Sequence, residues 1–217
     1  MQFDIITIFP EIFDSYFNES ILGRARAEQK ISIFTHDIRK NAINDYGQVD
    51  DKPYGGGPGM LLMFEPLYNT LKKIKRLPKS KVILMSAKGR IFTQKKAQNY
   101  TELDQLILIC GRYEGVDERI MDFVDEEIRI GDYVLTGGEV ASMVIADAIT
   151  RLIPGVLGKD ESNQDESHSI KGELEYPHYT RPESVTIKDE KLDVPKILLS
   201  GDHAKIEAWR QKHKKQA

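Results

Sequence analysis

The chain has 217 residues, 40% of them hydrophobic and 30% charged, with a net charge of −3. This is the make-up of a folded globular protein with one large domain, or a medium domain with a small appendage; it excludes a disordered or fibrous chain. The overall charge gives no sign of nucleic-acid binding, and no apolar run approaches the length needed to cross a bilayer.

The N-terminal run MQFDIITIF is apolar but contains Asp4 and lacks a basic start, so it reads as a strand rather than a signal peptide. Residues 3–9 form the β-branched strand, and Pro10 suits the first turn of a helix. Phe13, Phe17 and Ile21 then lie on one helical face, with Ser20 starting a second turn. Residues 31–35 read as a second strand. Residues 36–60, HDIRKNAINDYGQVDDKPYGGGPGM, lose all periodicity, and loops of that length are uncommon unless functional or disordered. Glu65-Pro66 opens a helix with Leu67, Leu71 and Ile74 on one side. Residues 82–85 are a strand expected to end at Ser86-Ala87-Lys88-Gly89. Thr93 caps a short helix running to Tyr100. Residues 106–110 form an uninterrupted apolar strand ended by Gly111. Val116, Ile120 and Phe123 space a helix, residues 127–130 form a strand ended by Gly131, and residues 139–152 form a largely apolar helix ended by Pro154-Gly155.

Apolar strands alternating with helices predict an α/β protein with a mostly parallel sheet covered on both faces. In such sheets ligands bind beyond the carboxyl ends of the strands. Gly89, Gly111 and Gly131 stand at those expected ends. Residues 158–172, GKDESNQDESHSIKG, read as a linker. Beyond it, Pro195 at a first helical position, Gly201 as a stop and Asp202 as a cap predict a small helical unit, 173–217. Its last helix carries Lys205, Arg210, Lys212, Lys214 and Lys215, a local basic surface that reads equally well as a solubilising tail.

The common nucleotide signatures are missing. There is no G-x-x-x-x-G-K-[ST] phosphate loop, no G-x-G-x-x-G between a strand and a helix, no Cys/His set with zinc spacing and no G-x-S-x-G elbow. Cys110, the one cysteine, excludes an internal disulfide and fits a reducing cytoplasm; within its apolar run it reads as a packed thiol.

Several ordered blocks nevertheless resemble a known family. They are PYGGGPGM at 53–60, CGRYEGVDER at 110–119, IGDYVLTGGE at 130–139, RLIPGVLG at 151–158, YPHYTRP at 176–182 and LSGDHA at 199–204. In this order they are similar to the bacterial tRNA (guanine-N1-)-methyltransferases. The resemblance implies a trefoil-knotted α/β methyltransferase domain over 1–157, a linker over 158–172 and a small, shortened helical tRNA-binding domain over 173–217. It implies a cytoplasmic homodimer whose active site is shared between subunits. The implied reaction moves a methyl group from S-adenosylmethionine to N1 of the guanosine immediately 3′ of the anticodon in tRNA. The family is also associated with Mg²⁺, although no dedicated metal-ligand cluster is visible in the sequence.

The chemistry needs particular groups. Guanine N1 carries a proton at neutral pH, so a base must remove it as the methyl arrives, and charge developing on O6 needs a cation or donor. The family places an arginine at the end of the long helix, which maps to Arg151; taken alone, Arg151 reads as a helix C-terminal cation. The family's base is a linker carboxylate; taken alone, Asp165 and Glu166 read as solvated linker acids. Aligning Ser167 puts the base at Glu166, and sliding the register by one puts it at Asp165. The methyl-donor pocket carries over to Ser86, Gly111, Tyr113, Glu114, Ile130, Gly131, Asp132, Tyr133, Val134, Leu135, Gly137 and Gly138, where glycines are expected to remove Cβ atoms from the ligand's path. Arg112 flanks that pocket and is expected to orient groups there. Tyr54, Gly57, Pro58, Gly59, Ser167, His178 and Arg181 carry over as contacts to the target base or RNA. Ala87 and Ala141 stand where the family often has proline.

Overall fold

The computed structural model describes residues 1–157, 167–168 and 172–216. The chain falls into two compact units, Met1–Lys159 and Asp160–Ala217.

The first unit is an α/β layer structure. Its strands and helices run β1 (Gln2–Thr7), α1 (Asp14–Phe17), α2 (Ser20–Ala27), β2 (Ser32–Asp37), β3 (Asp50–Asp51), β4 (Leu61–Leu62), α3 (Phe64–Lys73), β5 (Ser80–Ile91), α4 (Gln94–Tyr100), β6 (Gln105–Cys110), β7 (Glu126–Arg129) and α5 (Glu139–Thr150). The central sheet has five strands in the order β2-β1-β6-β5-β7, and every neighbouring pair is parallel. Strand β6 lies in the middle and is buried along its whole length. Its side chains alternate between two cores, as a pleated strand with both faces covered must do. Leu106, Leu108 and Cys110 pack with Phe13, Phe17, Ala97, Ile145 and Ile149 on one face. Ile107 and Ile109 pack with Leu62, Leu67, Leu71 and Ile120 on the other.

Several expected elements change form. The first helix breaks into a 3-10 turn, Pro10–Phe13, then α1 and α2, with Ser20, the first residue of α2, at φ 51°. The helix expected around Ile120 is a 3-10 segment, Glu118–Phe123. The long loop after His36 contains a 3-10 turn, Ile38–Asn41, and an antiparallel pairing of β3 with β4. The largest difference is at β5, which does not stop at Ser86. Both Met85 and Arg90 pair with Ile128, so residues 86–89 bulge out and the strand then resumes. Gly89 is therefore not a strand end. A Cβ there would lie 2.4 Å from the Ile128 backbone nitrogen, which accounts for the glycine.

The second unit contains β8 (Glu173–Leu174), β9 (Ser184–Ile187), β10 (Glu190–Asp193), α6 (His203–His213) and β11 (Lys215–Gln216). Strands β9 and β10 pair antiparallel, and β11 pairs antiparallel with β8. The unit is thus mixed rather than helical. The β9–β10 turn is made by Lys188 and Asp189, at φ 49° and 65°, left-handed values usual for a two-residue hairpin turn. Asp202 caps α6 as expected, accepting from the Lys205 backbone nitrogen at 3.1 Å.

Candidate functional site

The bulge in β5 and the carboxyl ends of β6 and β7 enclose a cavity of about 580 Å³. Ser86, Ala87 and Lys88 line it from the β5 bulge. Residues from Gly111 to Val116 line it from the end of β6, and Ile130, Gly131, Tyr133, Val134, Leu135, Thr136, Gly137 and Gly138 from the loop between β7 and α5. The size and position suit a nucleoside-sized ligand in a parallel α/β sheet. Of the residues singled out for the methyl donor, all but Asp132 line this space. Asp132 is turned to Arg129, whose Nε donates to Oδ1 at 2.7 Å. Tyr113 lines the cavity at φ 59°, a strained value for an aromatic residue.

The two glycine loops are tied together by backbone and by a buried ion pair. Gly138 N donates to Gly111 O at 2.9 Å. Arg112 Nε donates to Glu139 Oε2 at 3.1 Å, and the Glu139 side chain is only 2% exposed. Thr7 Oγ1 at the end of β1 donates to Glu139 Oε1 at 3.0 Å. Arg112 also donates to Thr136 O at 3.3 Å and lies over the Phe9 ring at 4.7 Å. One carboxylate at the start of α5 therefore fixes the ends of β1 and β6 and the third loop at once. Glu139 and Thr7 were not picked out from the sequence; an acid directly after Gly-Gly at a helix start was the available signal, but its burial was not visible.

The glycines are also closely packed. A Cβ on Gly138 would lie 2.7 Å from Cys110 Cα, one on Gly137 2.3 Å from Arg112 Nε, and one on Gly131 2.2 Å from the Tyr133 ring. At Gly138 the backbone at the end of β6 presses on the loop; at Gly137 and Gly131 the neighbours are side chains, that of Gly131 from its own loop. Beneath them Cys110 contacts Ser142, Sγ to Oγ 3.2 Å, and burial, with Glu139 nearby, pushes its thiol well above the ordinary range. It is a packing residue.

The loop before β4 is hooked to the rim of the cavity. Glu114 N donates to Met60 O at 3.0 Å. The Glu114 side chain covers Gly59, where a Cβ would lie 2.4 Å from Glu114 Cγ. Tyr54, Gly57 and Pro58 are exposed and do not line the cavity. Arg151 caps the C-terminus of α5 and is likewise not part of the lining. In the second unit, Ser167 Oγ accepts from Glu175 N at 3.0 Å, His178 Nε2 meets Glu175 Oε1 at 2.9 Å, and Arg181 is exposed. Asp165 and Glu166 lie outside the described residues. Among the described residues, no group of three or more His, Cys, Asp or Glu side chains is placed to hold a metal ion. Among the same residues, no helix is long and apolar enough to cross a membrane.

Fold and cavity define a parallel α/β protein with a nucleoside-sized cavity beyond its strands and without a phosphate loop. Comparison with known proteins gives the particular family. The family described as tRNA (Guanine-1)-methyltransferase TrmD matches residues 1–217. A tRNA (guanine-N(1)-)-methyltransferase of Staphylococcus haemolyticus (strain JCSC1435) is 51% identical over 215 residues, 99% of this chain and 86% of its own length. That of Phytoplasma australiense is 53% identical over 213 residues, 98% of this chain and 84% of its own. One from Staphylococcus aureus (strain Newman) is 49% identical over 215 residues, again 99% and 86%. The chain belongs to the tRNA (guanine-N1)-methyltransferase family, and as a member it is a methyltransferase acting on guanine N1 of tRNA.

Proposed function

We propose that the cavity at the β5 bulge and the ends of β6 and β7 holds S-adenosylmethionine, and that the guanosine methylated is the one immediately 3′ of the anticodon. The observation that carries this reading is the cavity itself, walled by the glycine loops that the family resemblance assigned to the methyl donor. Backbone groups of residues 130–135 present N–H and C=O to an adenine edge, and Gly111, Gly137 and Gly138 form the floor. Bound there, the donor supplies an electrophilic sulfonium methyl.

The chain's own groups handle the guanine. Glu166, by the serine register, takes the N1 proton; Asp165 is the neighbouring choice. Arg151 faces O6 and stabilises the charge that develops as the proton leaves. A base on a linker suits a site that closes over its substrate. Tyr54, Gly57, Pro58 and Gly59 meet the target base or the methionine end of the donor. Ser167, His178, Arg181 and the basic residues of α6 meet RNA, with salt-sensitive phosphate contacts. The family is associated with Mg²⁺, and no cluster of ligands for it is found among the described residues.

The working form is a cytoplasmic homodimer with a shared active site. Val140 and Val144, one turn apart on α5, are exposed together with Phe9, Ile12 and Tyr16, and this supports an interface there. The trefoil knot is taken over from the family resemblance. The second unit, 173–217, is the tRNA-binding part.

Transfer of labelled methyl groups tests the reading. Label should enter tRNA bearing guanosine 3′ of the anticodon and be lost when that base is adenosine. Strong transfer to ribosomal RNA instead would overturn the substrate assignment. Binding of tRNA without any binding of S-adenosylmethionine would point to an RNA-binding protein that kept the fold.

A further inference from the structure

We propose that the basic surface at the end of α3, residues 72–81 together with Arg39 and Lys40, holds the phosphate backbone of the tRNA outside the methyl-donor cavity. The inference rests on tRNA being the substrate, and on no reading of a cavity or linker residue.

The charge is concentrated there. The chain as a whole is acidic, at −3, yet the stretch KKIKRLPKSK at 72–81 holds six Lys and Arg residues and no acid. Runs this rich in lysine and arginine are a mark of nucleic-acid surfaces, whereas a surface built only for solubility mixes both signs. Lys72 and Lys73, in the last turn of α3, also suit the negative end of that helix. Lys75, Arg76 and Lys79 lie beyond the helix, so its dipole does not account for them.

The backbone that carries these cations is pinned. Ile74 is buried beneath them. Gln105 Nε2 donates to Lys75 O at 3.1 Å, and Leu77 N donates to Gln105 Oε1 at 2.9 Å. The 3-10 turn Ile38–Asn41 is tied to the same helix, because Asn41 Nδ2 donates to Thr70 Oγ1 at 2.9 Å and Lys73 Nζ donates to Asn41 Oδ1. Arg39 and Lys40, both exposed, thereby join the surface.

The carboxylates that touch this surface are already engaged. Glu126 takes Lys81 at 2.6 Å, and Asp125 faces Arg76 at 3.6 Å. Asp37 accepts from Arg39 N at 2.8 Å, and Asp104 accepts from Lys79 N at 3.2 Å. Lys72, Lys75 and Lys79 are exposed, and none has a carboxylate within ion-pair distance among the described residues. Their ammonium groups are open to phosphate oxygens, and release of the counterions condensed on RNA would drive the contact. An anionic membrane or an acidic protein would match the sign as well, but tRNA is the polyanion that this chain must hold.

The test removes three charges from the full chain, as Lys72→Gln, Lys75→Gln and Lys79→Gln combined. Dissociation constants for tRNA are measured across a salt series, with S-adenosylmethionine affinity, Tm and the kinetics of methyl transfer alongside. The plot of log affinity against log salt should flatten by about 2–3 units, since each lost phosphate contact removes about 0.7–0.9. At low salt, tRNA affinity should fall about 10–100-fold. KM for tRNA should rise while kcat, donor affinity and Tm stay as they were. Lysine-to-arginine changes at the same three positions should restore the slope and the affinity. An unchanged slope and KM in the glutamine variant would overturn the proposal, and so would an arginine variant as weak as the glutamine one. A fall in Tm with a matching fall in kcat would also overturn it, by showing that the three lysines serve the fold. Loss of vesicle or heparin binding with tRNA binding intact would assign the surface to another polyanion. None of these outcomes touches the donor site, which the unaltered chain tests by label transfer.

Discussion

The two ends of the central sheet are built by opposite means. At the amino end, side chains close the structure. Gln105 Nε2 donates to Asp4 Oδ2 at 2.7 Å, and Leu77 N donates to Gln105 Oε1 at 2.9 Å. His36 Nε2 meets Asp4 Oδ1 at 2.7 Å, and Lys81 meets Glu126 at 2.6 Å, with Lys96 on the other Glu126 oxygen. Burial alone would raise the Asp4 and Glu126 carboxyls, but these partners outweigh it and leave both below their ordinary values. At the carboxyl end, backbone and glycine shape a cavity, and the buried pair Arg112–Glu139 lies beneath the loops as their brace. The comparison separates two uses of polar chemistry in one sheet. Asp4 and Glu126 are matched within the chain, whereas the carboxyl end leaves a shaped space for something else to fill.

Substitutions can break or sharpen this contrast. The largest effect should fall on chemistry. Glu166→Gln should cut methyl transfer by roughly 10²–10⁴, the usual contribution of a positioned general base, while calorimetry shows donor affinity intact. If Glu166→Gln keeps full activity and Asp165→Asn loses it, the linker register is off by one. Next comes the brace. Arg112→Ala leaves Glu139 buried without its cation, and losing one partner of a buried pair costs about 3–5 kcal/mol, readable by urea unfolding. Donor binding should fall with it, because the loops at Gly111 and Thr136 lose their tie. An Arg112→Ala chain with unchanged stability would show that the carboxyl end needs no brace.

The smallest effect belongs to the amino end. Glu126 is held at about 2, against an ordinary 4.5. A depressed carboxyl stabilises above the unfolded value and loses that contribution as pH falls from about 4.5 through about 2. With solvent screening, Glu126→Gln should cost about 1–2 kcal/mol at neutral pH and flatten the acid limb of the stability curve. Methyl transfer should be unchanged. A large loss of activity in this variant would erase the distinction between the two ends.

The same division explains what was legible in the sequence. The β6 run QLILIC could be read directly, because a strand buried on both faces needs nothing but apolar residues. The Thr93 and Asp202 caps were legible because their side chains act locally, on Lys96 N and Lys205 N. The continuation of β5 past Gly89 was not, since it depends on pairing with β7, which lies far along the chain. The hairpin of β9 and β10 was hidden because its turn, Lys188-Asp189, lacks the glycine that usually marks left-handed angles. The cavity-lining blocks were found through family resemblance. The close packing at Gly137 against Arg112 and at Gly138 against the end of β6 appears only in three dimensions.

A crystal structure of the chain grown with S-adenosylmethionine tests the central claim most directly. The adenosyl group should lie between Gly111, residues 130–135 and Gly137-Gly138, with the sulfonium methyl facing open space for a guanine. Density for the donor elsewhere, or none at saturating concentration, would contradict it.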